Sequence, residues 1–477
     1  MKSQKLTVVA SAIPLFFSIF ASVPLFSQQN GPRRGSSSQG GSSGTKDPGV
    51  REGSVNAGGP LSSLIGTQLE YFQDGRNRFQ AVDQVANGLG PTFNSNSCAS
   101  CHAQPAAGGS SPSSSQYPNI GPNPQIEAGT TNGASNSIPY FITATGPVRE
   151  ARFPFAVGPN GVTHTPDGGV HAVFTISGRS DAPGCVLAQP NFEQMQQMNN
   201  IIFRIPTPVF GAGLIESISD QTILANMQAN AALKHQLGIS GHPNYSGNDG
   251  SITRFGWKAQ NKSLEVFSGE AYNVEMGVTN ELFPNERGNP PTTCLMNPTP
   301  EDATNFSASG DQIPSDIVEF SAFMRFLAPP TPSSQGIPGS PPETSIQNGQ
   351  AVFTQIHCDT CHTLSLPTSR SSFTQGMNNQ TAALFSDLLV HHMGSGLADN
   401  VSQGSAGMDE FRTAPLWGLG QRIFFLHDGR SGPANGGLVN AIEQHASNGS
   451  EANAVINLYS QLSPQQQQDL LNFLRSL

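Results

Sequence analysis

Apolar residues recur at helical spacing at five places along the chain. Leu61, Leu64, Ile65, Leu69 and Phe72 fall three or four apart and predict a helix within 61–84. Residues 220–237 read as helical too. Ile317, Phe320, Phe323, Met324 and Leu327 put one apolar stripe on a helix over 316–327. A short helix is predicted over 344–357. The last spans 465–477, with Ser463 placed to cap, Pro464 suited to the first turn, and Leu470, Leu471 and Leu474 on the buried face. His391 and His392, just before Met393, are also assigned to a helix. Residues 138–210 differ: short β-branched runs such as 172–176 predict a few strands.

The stretches between these elements set the organisation. Lys2 and Lys5, an apolar run over 6–26 and small residues before Gln28 read as a secretory leader over 1–27. An uncleaved membrane anchor is the alternative. No later stretch approaches that apolar length, so no stable membrane span is expected after processing. Residues 28–59, rich in Gly, Ser and Arg, read as a flexible tether. Residues 103–137 read as a surface excursion, and 329–342 as a Pro-rich linker.

Two of the predicted helices run into the same short string. One is Cys98-Ala-Ser-Cys101-His102, the other Cys358-Asp-Thr-Cys361-His362. This is C-x-x-C-H, the attachment signature of c-type haem. Each thiol adds to a porphyrin vinyl group, and the histidine falls under the iron as an axial ligand. A zinc site would need further ligands to converge, and a redox dithiol has no use for a trailing histidine. A helix, the motif and a closing helix make a cytochrome c plan. The expected fold is therefore mainly α, with two cytochrome c-like domains over 60–328 and 343–477. The first is enlarged by a loop- and strand-rich insertion.

Composition sharpens this. Charged residues are only 12%, while Gly and Pro number 51 and 37, which favours a loop-rich chain. A formal net charge of −10 argues against nucleic acid as a partner and suits a small basic electron donor. Haem attachment to thiols takes place outside the cytoplasm, so a periplasmic or otherwise secreted bacterial protein is expected. In that oxidising setting the two remaining cysteines, Cys185 and Cys294, are expected to pair.

Longer strings resemble the bacterial di-haem cytochrome c peroxidases. They are Phe255-Gly256-Trp257-Lys258, Ser263-Leu264-Glu265, Asn273-Val274-Glu275-Met276-Gly277, Phe411-Arg412-Thr413-Ala414-Pro415-Leu416 and Phe425-Leu426-His427-Asp428-Gly429. The likeness is closer to the di-haem oxidoreductase subgroup, through Gly211-Ala212-Gly213-Leu214-Ile215-Glu216, Asp387-Leu388-Leu389 and Leu426-His427-Asp428-Gly429-Arg430. The resemblance covers about 60–477 in patches and fails over 103–200. It implies a reactive haem iron on His102, a relay haem iron on His362, Trp257 between the haems, and Glu275 as the acid that moves a proton during O–O cleavage. It implies hydrogen peroxide or a related oxidant as substrate, and a monohaem cytochrome or cupredoxin as donor. A calcium ion near Thr413 is also implied. Two departures stand out. His445 occupies the slot of the family's sixth-ligand methionine, with Met393 and Met408 as the other candidates, and Lys258-Ala259-Gln260 follows the tryptophan where the family has Asp-Gly-Arg. Met276 is expected in the core and His427 in a structural turn. One of His164 or His171 could reach a haem. The leading function is peroxide reduction; the alternatives are a pure di-haem electron carrier and a protein-modifying di-haem oxidase.

Overall fold

The computed structural model describes residues 44–477 except 52–55, 113–121, 160, 307–311, 334–340 and 372–374. The leader read over 1–27, the tether over 28–43 and half of the Pro-rich linker lie outside the described residues. Among the described residues no helix is long and apolar enough to cross a membrane.

Helices carry most of the regular structure, in two groups. The first comprises α1 (Thr67–Gln80), α2 (Leu264–Met276) and α3 (Asp316–Phe326); α1 and α2 both pack on α3. Phe72 and Phe79 of α1 meet Phe323 at ring-centroid distances of 5.4 and 4.8 Å. Tyr272 packs edge-on to Phe320 at 5.0 Å. Each such ring contributes on the order of 3 kcal/mol through burial. The second group pairs α4 (Glu343–Gln355) with α6 (Pro464–Ser476); α5 (Gly437–Glu443) lies between them in sequence. Here Phe353 meets Phe473 at 5.5 Å. The helix ends follow local chemistry. Ser463 and Gln466 form a capping box at the start of α6, Ser263 accepts from Val266 N at the start of α2, and Gly277 ends α2 with φ +74°.

Both groups have a glycine where the helices cross. A Cβ on Gly75 would strike the carbonyl of Glu319, and one on Gly349 the carbonyl of Asp469. Each glycine lets one backbone lie directly on another, and each stands four residues before the phenylalanine that packs by the motif histidine.

The insertion is mainly a hairpin of β1 (Glu150–Gly158) and β2 (Gly161–His171). A third strand, β3 (Ile202–Arg204), lies on the other side of β1. Glu150 pairs with Arg204 and Arg152 with Ile202. Side chains alternate along a strand, so Glu150, Arg152 and Arg204 share one face, and Ala151 and Phe153 point the other way. The disulfide Cys185–Cys294 is formed as expected, joining segments 109 residues apart.

Four sequence expectations change. The first helix starts only at Thr67, after Gly66 with φ +54°, so Ile65 is left 78% exposed. The helix expected over 220–237 is two, Asp220–Gln228 and Ala231–Leu237, split at Asn230 with φ +56°. His391 and His392 lie not on a helix but on β4 (Val390–His392), antiparallel to β5 (Glu410–Arg412). Residues 44–51, assigned by composition to a flexible tether, are instead docked. Arg51 N donates to Gly420 O at 2.8 Å, and Asp47 pairs with Arg475 at 2.7 Å.

Candidate functional site

Each C-x-x-C-H string lies on the wall of its own cavity. The first cavity, about 170 Å³, is lined by Cys98, Cys101 and His102. The second, about 220 Å³, is lined by Cys358, Cys361 and His362. Voids cost about 24 cal/mol per Å³ in a packed interior, so each cavity is a place built to receive a group.

The histidines are prepared as metal ligands. His102 Nδ1 lies 3.0 Å from the carbonyl of Gly109, and His362 Nδ1 lies 3.0 Å from that of Phe385. Burial pushes both imidazoles down to about 4, so they are neutral at pH 7. A neutral ring whose Nδ1–H is held by a carbonyl leaves Nε2 with a free lone pair. Phe79 packs edge-on to His102 at 6.0 Å, and Phe353 lies against His362 at 6.3 Å. Buried guanidiniums complete the fit. Arg422 Nε on the second cavity and Arg149 Nε on the first are buried with no hydrogen-bond partner among the described residues. Arg412 and Arg422 donate to carbonyl oxygens, and burial pushes both down to about 10. Apolar walls, paired thiols, a free imidazole nitrogen and cations short of carboxylates fit a haem with its two propionates.

Opposite the motifs the cavities diverge. The His102 cavity carries Glu150, Arg152, Arg204, Glu270, Glu275 and Gln260. Asn94 Nδ2 donates to Glu275 Oε2 at 2.9 Å. Arg152 Nε donates to Glu150 Oε1 at 2.7 Å. Burial first, then the neighbouring Glu150, hold Glu275 well above the usual carboxylate range, which favours its protonated form. Met276 is buried as expected, with its sulfur 3.9 Å from Cys98 Sγ.

The second cavity holds another imidazole. His445 follows α5, its Nδ1 lies 2.7 Å from the carbonyl of Ala441, and burial lowers its pKa. It is thus oriented like the two motif histidines. Met393 lines the same cavity, whereas Met408 is 37% exposed and lines neither. His427 is neutral, pushed down to about 4 by burial, and stacks on Phe411 at 4.3 Å, in keeping with a structural turn. His164 and His171 line neither cavity.

Trp257 lines both cavities. Its Nε1 donates to Ile205 O at 2.9 Å and its carbonyl accepts from Arg412 N at 2.8 Å. Beside it, fully buried Lys258 donates to the carbonyls of Gly407 and Glu410 at 2.8 Å and pairs with Asp399 at 3.1 Å. Burial pushes this lysine down to about 8. Asp399 also binds Arg204, at 2.5 Å. Near Thr413, where resemblance implies calcium, the Thr413 carbonyl accepts from Ser386 Oγ at 2.6 Å.

Sequence reasoning missed Glu150, Arg152 and Arg204, whose only sequence signal was a Glu-x-Arg alternation on a strand. It also missed a buried triad under the second motif. His391 Nε2 lies 2.9 Å from Asp387 Oδ2 and Nδ1 lies 2.7 Å from Glu451 Oε2.

A family model described as "Di-haem oxidoreductase, putative peroxidase" matches residues 163–477. No curated protein matches the chain. Two solved structures are similar to it. One is a hydrazine synthase from Kuenenia stuttgartiensis pressurized with xenon, 14% identical, with a TM-score of 0.32 over 94% of this chain and all of that one. The other is a MauG-like protein associated with microbial copper homeostasis, 17% identical, with a TM-score of 0.26 over 57% of this chain and 89% of that one.

Proposed function

This chain belongs to the di-haem oxidoreductase family, and we propose that it is a secreted or periplasmic peroxidase with two covalently held c-type haems in cytochrome c-like domains. Cys98 and Cys101 would hold one haem by thioethers, with His102 as a ligand to its iron. Cys358, Cys361 and His362 would do the same for the other, with His445 as a further ligand. When bound, the haems supply electrons and an iron that accepts an oxygen ligand.

The protein's own residues divide the rest of the work. In the His102 cavity, Glu275 holds a proton for an oxygen leaving a broken O–O bond. Arg152 and Arg204 stabilise negative charge developing there. Trp257 bridges the cavities as a stepping point for electrons delivered at the His362 side by a small donor protein. The overall change is one peroxide, two electrons and two protons to two waters.

The observation that carries this reading is the asymmetry of the cavities: a carboxyl held toward its acid form among guanidiniums in one, a second oriented imidazole in the other. Redox titration followed by electron paramagnetic resonance tests it, alongside peroxide turnover with a reduced monohaem cytochrome. The expected result is one low-spin bis-histidine haem, one haem open to ligands, and turnover. Two six-coordinate haems without turnover would make the protein an electron carrier instead.

A further inference from the structure

We propose that Glu150 and Glu275 form a single proton-sharing pair in the His102 cavity, so that the inserted hairpin supplies half of the acid machinery. For its chemistry the proposal rests on the peroxide reading; the pair itself stands on geometry.

The two carboxyls come from unrelated elements. Glu275 sits in the last turn of α2, where its carbonyl accepts from Asn94 N at 2.7 Å and Ser95 N at 3.2 Å. Asn94 Oδ1 accepts from Val173 N at 2.9 Å, which fixes the amide so that its NH2 faces Glu275. Glu150 opens β1, opposite Arg204 in register and two residues from Arg152 on the same face. The two carboxyls line the wall of one cavity, within hydrogen-bonding reach of each other.

Two buried carboxyls in contact cannot both ionise, so one proton is shared between them. Its place follows from their partners. Glu150 faces the guanidiniums of Arg152 and Arg204, which hold it below the usual range against the opposing effect of burial. Glu275 has a neutral amide donor, and its proton stays with it. The other charged or titratable groups facing the pair are Arg149, Arg287 and Glu270, with Cys101 nearby. Glu270 is bonded by Asn261. Arg287 donates to the carbonyls of Val274, at 3.0 Å, and Val170, so it is spent on backbone.

The pair gives the cavity a reloadable proton. As the O–O bond breaks, Glu275 passes its proton to the departing oxygen, which keeps the electron pair of that bond and leaves as water; the two electrons from the donor and a second proton then convert the remaining oxygen to the second water. The doubly ionised pair is then unfavourable in this buried site, which drives uptake of the second proton of the reaction. Glu150 is in this sense a positioning residue: it acts through Glu275.

Infrared spectroscopy of the holoprotein, following the C=O band of a buried protonated carboxylic acid through a pH titration, tests the pair without any turnover. The band should be present at pH 7 and absent in Glu275→Gln. In Glu150→Gln the neighbouring negative charge is gone, so Glu275 should ionise at a pH lower by about one unit or more. The alkaline limb of peroxide turnover should shift in the same direction. Glu150→Asp, which keeps the charge, should return the midpoint toward wild type and controls for folding. An unchanged midpoint in Glu150→Gln, or no such band in wild type at pH 7, overturns the proposal. A band that behaves as expected in a protein without peroxide turnover would uphold the pair and defeat the peroxide reading alone.

Discussion

The two cavities are twins on one wall and strangers on the other. On the shared wall each has a glycine-mediated helix crossing, a phenylalanine against the motif histidine at 6.0 or 6.3 Å, and a histidine Nδ1 held by a carbonyl at 3.0 Å. On the opposite wall one has Glu150, Glu275, Arg152 and Arg204, and the other has His445. On the shared wall the glycine, the phenylalanine and the carbonyl that holds the histidine all stand close to the motif in sequence, although the helices crossed there, α3 and α6, do not. On the differing wall every functional side chain comes from a separate element: β1, β3 and α2 for the first cavity, the end of α5 for the second. A repeated local string thus fixes what is held, and the distant chain that closes over it fixes what can be done there.

Changes to the shared wall should have the largest effects. Replacing Cys358 and Cys361 by serine should leave a protein carrying one covalent haem where wild type carries two, read directly from intact mass. Two haems in that variant would break the symmetry between the motifs. Next comes the wall of the second cavity. His445→Ala should abolish the bis-histidine low-spin signal, and an untouched signal would remove His445 from the ligand role. In the first cavity, Glu275→Gln should keep both haem spectra and lower peroxide turnover about 100-fold; an unchanged rate would remove Glu275 from proton transfer.

A smaller effect concerns stability under the second motif. His391, bonded on both sides, holds the Glu451 carboxyl down to about 2 although burial acts to raise it. A depressed carboxylate contributes stability above its unfolded value, about 4.3, and loses it as pH falls toward 2. Glu451→Gln should therefore cost about 2 kcal/mol at pH 7, with the gap from wild type closing through that acid window in denaturant titrations. A gap that does not narrow would show that packing, not charge, is what Glu451 supplies. Smallest is Trp257→Phe, which keeps an aromatic ring but loses the hydrogen bond to Ile205. Turnover with an external donor should fall about tenfold with both haem spectra unchanged. An equal rate would move the electron path off this residue.

How much of this was legible in the sequence follows the same division. The motifs named Cys98, Cys101, His102, Cys358, Cys361 and His362, and longer strings pointed to Trp257 and Glu275; the structure brings all of them to the cavities. Helix α3 and the closing helix were visible because an apolar stripe or a capping string marks them. The splitting of 220–237 was not visible, because it depends on a left-handed Asn230 that periodicity does not register. The strand at 390–392 was hidden because its two histidines are fixed by pairing with β5 and by carboxylates 4 to 60 residues away. Glu150 was illegible for the same reason: a Glu-x-Arg string on a hairpin reads as a solvated edge until another element folds over it.

The docked segment at 44–51 has a consequence for how the molecule is made. Asp47 accepts from Leu438 N at the first turn of α5 and pairs with Arg475 near the end of α6. Gln421 Nε2 in turn donates to Arg51 O at 2.9 Å. These partners follow Asp47 by 391 and 428 residues in the chain. The helix that leads to His445 is thus latched by a residue whose partners do not exist until long after it has been synthesised. The latch closes only once synthesis has passed Arg475, which makes extension through that helix a condition for closing the second cavity.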